Sequence, residues 1–548
     1  MGACITCCNR QERQEDIEEP ISPTRRGKST SSENVKRQQT GQHITIKQRI
    51  SNNDLKIQSQ MFINENANNP ADSYERVGII GEGGFSQVIK VRRKNTNEYR
   101  AMKIIKKISV NPEYNEVNIF DEINILKKLD HPNIIKIFEF FQDSINFYLI
   151  TELCEYGDLF ENLIDTNDDV NPLFTENIAG KIMKQLLSAI IYLHSQNIIH
   201  GDLKLENILI NDKVMNSKKK QSNNIDIKLI DFGCSRIFKK SLNLDVEQKI
   251  LGTMTYLAPE AFQGILDKKN DIWSCGVIMY FLLCGNLPFE GKSDTEVVDH
   301  IERGEFDFEA EIFKKISADA KDLIKLMLTL DYNKRIDAKT ALKHKWFKNI
   351  DEGNLVVDKN YVSEIMNNLK NFQAEHKFQQ AVYTYISHNL VARGDIENLR
   401  KVFQLLDKDG SGRLDKEELQ KGFQEAFGYN LGEYEMQALM KNIDHDNNGY
   451  IEYEEFLKAA IGNKVLLSNE NLIQAFNVFD ADKSGDITTE EIRKIIGGEK
   501  GIEEDNFQEI ISEIDLDKGD SIDFDRFKVL MKNIRRKSHT FHKKRSNI

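Results

Sequence analysis

Cysteine and long apolar runs are both scarce in this sequence of 548 residues. Its seven cysteines are an odd number; Cys4, Cys7 and Cys8 cluster and the others stand singly. This pattern does not fit a disulfide framework and indicates a reducing, intracellular setting. The longest nearly unbroken apolar run, Cys275 to Gly285, covers about half of the roughly 20 residues that span a bilayer. A transmembrane protein is therefore excluded.

A surplus of positive charge is also missing. Lysine and arginine number 75 against 87 for aspartate and glutamate, a formal charge of −12. Such a chain repels phosphate groups and anionic lipid, so we expect no nucleic-acid partner, and any membrane contact needs a local cause. At roughly 150 residues per domain, the length predicts three or four structural units.

The pattern of apolar residues changes several times along the chain. Residues 1–73 are polar and charged without a sustained apolar period, which predicts a disordered tail. Strand-like segments begin near Tyr74, and beyond Glu152 the apolar spacing turns helical until Trp346. From Tyr361 to Val391 apolar side chains recur at spacings of three and four, which predicts one or two amphipathic helices joining domains.

A glycine-rich turn between two predicted strands reads Gly81-Glu82-Gly83-Gly84-Phe85-Ser86-Gln87-Val88. Its glycines let backbone N–H groups approach a triphosphate closely, although the turn alone is equally consistent with a plain hairpin. Lys103 follows on the next strand, and Glu122, at the start of a helical segment, is able to pair with it. A lysine held in this way contacts the α- and β-phosphates of ATP.

Two later motifs complete this pattern. The segment His200-Gly201-Asp202-Leu203-Lys204-Leu205-Glu206-Asn207 supplies a carboxylate and an amide oxygen, and Asp231-Phe232-Gly233 supplies a second carboxylate. Ala258-Pro259-Glu260 then closes the segment that forms a peptide platform. Together these motifs resemble the signature set of eukaryotic protein kinases over roughly residues 74–347.

The resemblance implies roles for the matching residues. Lys103 and Glu122 orient ATP, and Asp202 acts as the base. Lys204 resembles the serine/threonine subclass, in which it steadies the transferring phosphate. The implied Mg²⁺ ligands are Asn207 and Asp231. The implied ATP-binding residues are Gly81, Glu82, Gly83, Gly84, Phe85, Ser86, Val88, Lys103 and Glu152.

Two further features bear on the substrate and on regulation. Asp158 and Glu206 match positions at which basophilic kinases hold an upstream arginine or lysine, and a solvated surface pair is the alternative. Gly201 replaces the usual arginine that clamps a phosphorylated activation segment. We therefore expect activity without such phosphorylation, with a weakened enzyme as the alternative.

Acidic loops start at Asp407, Asp444, Asp480 and Asp515, at intervals of 37, 36 and 35 residues, which indicates a repeated helix-loop-helix unit. An EF-hand loop supplies Ca²⁺ ligands at positions 1, 3, 5, 7 and 9 and a bidentate glutamate at position 12, with glycine at position 6. Three loops satisfy the pattern. The predicted ligands are Asp407, Asp409, Ser411, Arg413, Asp415 and Glu418; Asp444, Asp446, Asn448, Tyr450, Glu452 and Glu455; and Asp480, Asp482, Ser484, Asp486, Thr488 and Glu491.

The fourth loop departs from this pattern. It has Gly519 at position 5, Asp520 at the turn and Arg526 in place of the bidentate carboxylate. A cation there repels Ca²⁺ by a few kcal/mol at an effective dielectric near 20. We expect weak or no Ca²⁺ binding, with the helices retained as a packing partner.

The kinase, the amphipathic junction and the four-unit calcium module closely resemble the calcium-dependent protein kinase family of plants and protists. This implies an α+β two-lobed kinase fold followed by an all-α EF-hand domain with two paired lobes. It also implies a Ca²⁺-activated serine/threonine kinase with ATP, Mg²⁺ and Ca²⁺ as cofactors. At rest the junction would block the substrate groove, and Ca²⁺ would make the module remove it. A simple packing linker is one alternative, and a membrane-anchored calcium sensor with an inactive kinase scaffold is another.

The predicted domains are a tail with an acylation site (1–73), the kinase (74–347), an autoinhibitory junction (348–395), the EF-hand module (396–532) and a basic tail (533–548). The start of the chain fits N-myristoylation at Gly2, with palmitoylation at Cys4 as its companion. Two lipids anchor stably where one does not. We expect a monomer on the cytosolic face of a membrane that phosphorylates proteins near basic residues.

Overall fold

The computed structural model describes residues 59–63, 65–66, 68–82, 86–94, 96–107, 112–164, 174–211, 225–238, 252–350, 358–374, 376–497, 504–514 and 521–532. Alternating apolar residues on both sides of the glycine-rich turn build a six-stranded sheet. Its elements are β1 (Glu65–Asn66), α1 (Pro70–Ser73), β2 (Tyr74–Glu82), β3 (Ser86–Arg93), β4 (Tyr99–Lys106), α2 (Pro112–Leu126), β5 (Ile137–Gln142) and β6 (Asn146–Thr151). The strand order is β1-β5-β6-β4-β3-β2, with β1 parallel to β5 and all other pairs antiparallel.

A helical lobe follows the sheet. Its elements are α3 (Leu159–Ile164), α4 (Glu176–Ser195), β7 (Ile198–Ile199), β8 (Ile208–Ile210), β9 (Ile227–Leu229), β10 (Arg236–Ile237), α5 (Lys268–Cys284), α6 (Asp294–Arg303), α7 (Ala318–Met327) and α8 (Ala338–Leu342). The apolar run noted in the sequence is the second half of α5, which is buried among α4 and α7 and ends at Gly285 with φ of +82°. This run is therefore a core helix.

The junction and the calcium module are all helical apart from short loop ribbons. Their elements are α9 (Lys359–Asn371), α10 (Lys377–Asn389), α11 (Arg393–Leu406), β11 (Arg413–Leu414), α12 (Lys416–Phe427), α13 (Glu433–Ile443), β12 (Ile451–Glu452), α14 (Tyr453–Ala460), α15 (Asn463–Leu466), α16 (Asn469–Phe479), β13 (Asp486–Thr488), α17 (Thr489–Gly497), α18 (Glu504–Ile514), β14 (Ser521–Asp523) and α19 (Phe524–Lys532). Antiparallel ribbons β11/β12 and β13/β14 pair the four units two by two. The predicted fold class is confirmed.

The fourth unit keeps its packing role, as the sequence predicts. Ile514, Ile522 and Phe527 are buried, and β14 pairs with the strand of the third loop. Residues 515–520, which carry most of the degenerate loop, lie outside the described residues.

The N-terminal end differs from the predicted tail of 73 residues. Ser59–Phe62 forms a 3₁₀ turn, Ile63 is only 2% exposed, and β1 adds a strand to the sheet edge. The local composition is polar, but these few apolar side chains find partners that are distant in sequence. Composition alone does not detect such long-range burial.

Candidate active site and calcium sites

A lysine with two carboxylates forms the centre of the kinase site. Lys103 on β4 places Nζ 3.1 Å from Glu122 Oε1 on α2 and 3.4 Å from Asp231 Oδ1. Burial lowers the pKa of Lys103, but the charges of Asp231 and Glu122 outweigh it and hold that pKa above its ordinary value. The charge of Lys103 in turn lowers the pKa of Asp231. The predicted pair is therefore assembled and joined to the Asp-Phe-Gly carboxylate.

Asp202 is held on both carboxylate oxygens. Oδ2 lies 2.8 Å from Lys204 Nζ and accepts from Asn207 Nδ2 at 3.1 Å, and Oδ1 accepts from the Thr253 amide at 2.9 Å. Lys204 Nζ also donates to Thr253 Oγ1 at 2.9 Å. This fixed, acceptor-only group suits a base for a hydroxyl proton. The sequence analysis missed Thr253, which stands five residues before the predicted Ala-Pro-Glu motif.

A buried carboxylate that the sequence motifs do not predict fixes the backbone of the catalytic loop. Asp271 on α5 is 1% exposed and accepts from the amides of His200 and Gly201, both at 3.0 Å. His194 Nε2 lies 2.8 Å from the same carboxylate. These contacts hold the backbone next to Asp202. Asp202 is therefore held in position although glycine replaces the usual arginine at position 201.

Gly201 has a conformational reason to be glycine. Its φ is +79°, a left-handed value that other residues adopt at a cost, and an added Cβ would lie 3.0 Å from the carbonyl oxygen of Cys234. The loop is therefore relaxed with glycine at this position.

The glycine-rich turn is described at its two ends. Gly81 pairs with Val88, and Glu82 pairs with Gln87, across the β2–β3 hairpin that also includes Ser86. The predicted nucleotide contacts Gly83, Gly84 and Phe85 lie outside the described residues.

The predicted nucleotide-binding residue Glu152 directly follows β6. Its carboxylate lies 2.9 Å from Lys228 Nζ and accepts from the Lys136 amide at 2.8 Å. Its side chain is therefore engaged within the protein, and its contact with a nucleotide stays a prediction.

Three carboxylate clusters occupy the predicted calcium loops. Each cluster brings one oxygen from each of three residues within 4.8 Å of one another. The clusters are Asp407, Asp409 and Glu418; Asp444, Asp446 and Glu455; and Asp480, Asp482 and Glu491. These hard oxygen donors are the type that Ca²⁺ prefers.

The loop backbones are folded around these clusters. The glycines at position 6 have φ of +74° (Gly412), +87° (Gly449) and +93° (Gly485). Position 4 is left-handed as well, through Gly410, Asn447 and Lys483, a feature that the sequence analysis did not anticipate. The left-handed residues at positions 4 and 6 turn the backbone of each loop around its carboxylate cluster.

The other predicted ligands lie in the same loops. Ser411 and Ser484 donate to the carbonyls of Arg413 and Asp486, at 3.1 and 3.0 Å. The remaining predicted ligands form four hydrogen bonds and one ion pair. The hydrogen bonds are Asp415 N to Glu418 Oε2, Asn448 Nδ2 to Asp446 Oδ2, Tyr450 N to Asn448 Oδ1, and Thr488 Oγ1 to Glu491 Oε2, and the ion pair joins Glu452 to Arg413. In the fourth unit the Arg526 amide donates to Asp523.

The two EF-hand lobes hold the junction helices. Helix α9 packs against α11, α12, α13 and α14, and Asn368 Nδ2 donates to the carbonyl of Ala460 at 2.8 Å. Helix α10 packs against α14, α15, α16 and α18, and Tyr383 Oη donates to the carbonyl of Met531 at 3.0 Å. The apolar face of the junction thus lies in the calcium module.

The junction and the calcium module both contact the kinase. The amide of Glu454 donates to Asp130 at 2.6 Å, Arg400 pairs with Asp226, and His388 Nε2 on α10 lies 3.2 Å from the carbonyl of Ile137. These kinase residues are distinct from the group of Lys103, Glu122 and Asp231.

Comparison with known proteins gives a consistent assignment for each part. A family model described as the protein kinase domain matches residues 74–347, and an EF-hand domain pair matches residues 396–461 and 469–532. Calcium-dependent protein kinase 4 of Plasmodium falciparum (isolate 3D7) is 36% identical over 518 residues, which covers 92% of this chain and 95% of that protein. Calcium-dependent protein kinase 4 of Plasmodium berghei (strain Anka) is 37% identical over 491 residues, with 87% and 90% covered. Calcium-dependent protein kinase 5 of Plasmodium falciparum (isolate 3D7) is 37% identical over 461 residues, with 83% and 77% covered.

Proposed function

The chain belongs to the calcium-dependent protein kinase family, and from that premise we propose how its residues transfer phosphate and how calcium controls them. It is a Ca²⁺-regulated serine/threonine protein kinase that uses ATP and acts on protein substrates. The observation that carries the proposal is the assembled group of Lys103, Glu122 and Asp231, together with an Asp202 that is fixed by Lys204, Asn207 and Thr253.

In the proposed step, Asp202 accepts the proton of a serine or threonine hydroxyl. The hydroxyl oxygen bonds to the γ-phosphorus while the bond to the β,γ-bridging oxygen breaks, and ADP leaves with those electrons. Lys103 holds the α- and β-phosphates, and Lys204, beside Asp202, steadies the transferring group. The fixed positions of these side chains lower the entropic cost of reaching the reacting geometry.

The residues present suit Mg²⁺. Asn207 donates its amide N–H groups to Asp202, so its oxygen is the atom it offers to a cation, and Asp231 remains ionised beside Lys103. When bound, Mg²⁺ supplies positive charge to the phosphates. Asn207 and Asp231 would hold it.

Substrates with an upstream basic residue fit the acidic pair Asp158 and Glu206. Burial, together with the charges of Glu161 and Glu206, raises the pKa of Asp158 to about 6. Glu206 Oε2 is buried without a hydrogen-bond partner among the described residues. An arginine or lysine of the substrate would satisfy both carboxylates.

We assign calcium control to the junction helices. Each of the first three loops gathers three carboxylates within 4.8 Å of one another, which is the donor type that Ca²⁺ prefers. In the proposed cycle α9 blocks the substrate groove at rest, and Ca²⁺ causes the EF-hand lobes to hold α9 and α10. The packing of both helices in the module supports the calcium-bound half of this cycle.

Membrane attachment is proposed through lipid on Gly2 and Cys4, both outside the described residues. Among the described residues, no helix combines the length and apolarity needed to cross a bilayer. The proposed location is the cytosolic face of a membrane, as a monomer. A Gly2→Ala chain that stays in the membrane fraction would count against myristoylation.

The test is phosphorylation of an arginine-containing peptide with Mg·ATP, in Ca²⁺ and in chelator. The proposal requires turnover that rises with Ca²⁺ and needs Asp202. No turnover in either condition would support the inactive-scaffold alternative, which no observation favours here.

A further inference from the structure

The segment that precedes the kinase sheet contacts two parts of the molecule at once. The Phe62 ring lies 5.7 Å from the Tyr385 ring of α10 and 6.3 Å from the Phe479 ring of α16, edge-on to both. The next side chain, Ile63, is 2% exposed and belongs to the same apolar cluster as Ile123 of α2. Consecutive residues therefore anchor the calcium module and the kinase.

Backbone and polar contacts fix this segment to the sheet. β1 runs parallel to β5 and extends the sheet by one strand, with Glu65 opposite Phe140. Asn66 Nδ2 donates to Glu139 Oε2 at 3.2 Å. The kinase end of the segment is thus held independently of Phe62.

The module end lies next to a calcium loop. Phe479 is fully buried and directly precedes Asp480, the first predicted ligand of the third loop. The 3₁₀ turn at Ser59–Phe62 packs against α17, which leaves the same loop, and against α10. The Tyr385 side chain also interacts with that of Arg93 at the end of β3. Phe62 therefore lies where the third loop, the junction and the kinase sheet meet.

We propose that the described residues 59–63 and 65–66, here called the strap, are an intramolecular ligand of the second EF-hand lobe and position that lobe on the kinase sheet. Adjacent Cα atoms are about 3.8 Å apart, so Phe62 and Ile63 keep both contacts only while the lobe stays against the sheet. When calcium leaves and the module moves, one contact must break. EF-hand sensors expose apolar surface when they bind Ca²⁺, and the aromatic side chain of Phe62 suits such a surface.

Thermodynamic linkage between strap docking and Ca²⁺ binding makes this proposal quantitative. The proposal rests on the proposed calcium control. If the strap prefers the calcium-bound lobe, removing Phe62 weakens Ca²⁺ binding by the same factor as Ca²⁺ strengthens strap docking. Such couplings are typically about 5- to 150-fold. We therefore expect Phe62→Ala to raise the Ca²⁺ concentration for half-maximal activity by about fivefold or more.

The experiment compares the full-length wild-type chain with Phe62→Ala, Phe62→Leu and Asn68→Ala, the last being an exposed residue just beyond β1. Activity on one peptide is measured across free Ca²⁺. The expected result is a large rightward shift for Phe62→Ala, a smaller one for Phe62→Leu, none for Asn68→Ala, and unchanged rates in chelator. Equal Ca²⁺ concentrations for half-maximal activity in all four chains would overturn the strap proposal, while wild-type calcium activation would remain intact.

A measurement on the wild-type chain guards against a variant that folds poorly. Hydrogen exchange of the amides in residues 59–66 should slow when Ca²⁺ is added. Equal exchange with Ca²⁺ and with chelator would contradict the strap. If the wild-type chain showed no calcium activation at all, the proposed function itself would fail.

Discussion

The catalytic site and the calcium loops use carboxylates in opposite ways. In the catalytic site Asp231 and Asp202 lie beside Lys103 and Lys204, and the charge of Lys103 lowers the pKa of Asp231. In the first two calcium loops burial raises the pKa of Asp407 and of Glu455 to about 8. The fold places a lysine beside each of these catalytic carboxylates, whereas each calcium loop gathers three carboxylates within 4.8 Å of one another. This difference separates a prearranged catalyst from its switch.

Removing the base Asp202 tests the catalytic side of the comparison and should have the largest effect on activity. Asp202→Asn should lower kcat by about 10²- to 10⁴-fold, the usual contribution of general acid–base catalysis. The Ca²⁺ affinity of the chain, measured by calorimetry, should be unchanged, because Asp202 contacts no calcium loop. A variant with full activity would mean that Asp202 is not the base.

Removing a carboxylate from a calcium loop tests the calcium side of the comparison. Glu418→Gln should weaken Ca²⁺ binding at the first loop by at least about 10- to 100-fold, the range found even for partners outside the ligand shell. Activity at limiting Ca²⁺ should fall with it, while the KM for ATP stays constant. Exposed Glu417 is the matched control, and an equal loss in Glu417→Gln would show that general charge, not ligation, matters.

The relaxed catalytic loop is tested by Gly201→Ala. A left-handed non-glycine residue costs about 1–2 kcal/mol, and the contact with Cys234 adds to this. Urea unfolding should show a larger loss of stability than for Gly264→Ala, which has φ of +75° but no neighbour within 4 Å of an added Cβ. Equal losses would mean that the contact with Cys234 is unimportant.

The acidic pair Asp158 and Glu206 sharpens the comparison, because in this kinase site the charge of one carboxylate raises the pKa of another. With a pKa of about 6, Asp158 is charged at pH 7.5 and largely neutral at pH 5.5. The KM for an arginine-containing peptide should therefore rise as pH falls, by up to about fivefold for an ion pair worth about 1 kcal/mol. The ratio of this KM to that of a peptide without arginine should lose its pH dependence in Asp158→Asn.

Local motifs explain why most of the site was predictable from the sequence. Short patterns predict Lys103, Glu122 and Asp231, and the structure brings these three together. A short pattern also predicts Asp202, which contacts Lys204 and Asn207 of the same motif. The three complete calcium loops are predictable in the same way, because the ligands of each loop lie within one short stretch of consecutive residues.

The missed features depend on contacts between distant segments. Thr253 lies about fifty residues from Asp202, and Asp271 contacts a loop some seventy residues earlier. Neither belongs to a pattern that a short window detects. The strap was missed for a related reason, since Phe62 and Ile63 are two apolar residues in a polar segment whose partners come from the sheet and from the calcium module.

The most direct test of the account replaces all three bidentate glutamates, Glu418, Glu455 and Glu491, with glutamine. Phosphorylation of an arginine-containing peptide is then measured in Ca²⁺ and in chelator. The account predicts that Ca²⁺ activates the wild-type chain, while the triple variant stays at the chelator rate in both conditions and still depends on Asp202. A triple variant that Ca²⁺ activates as strongly as the wild type would contradict it.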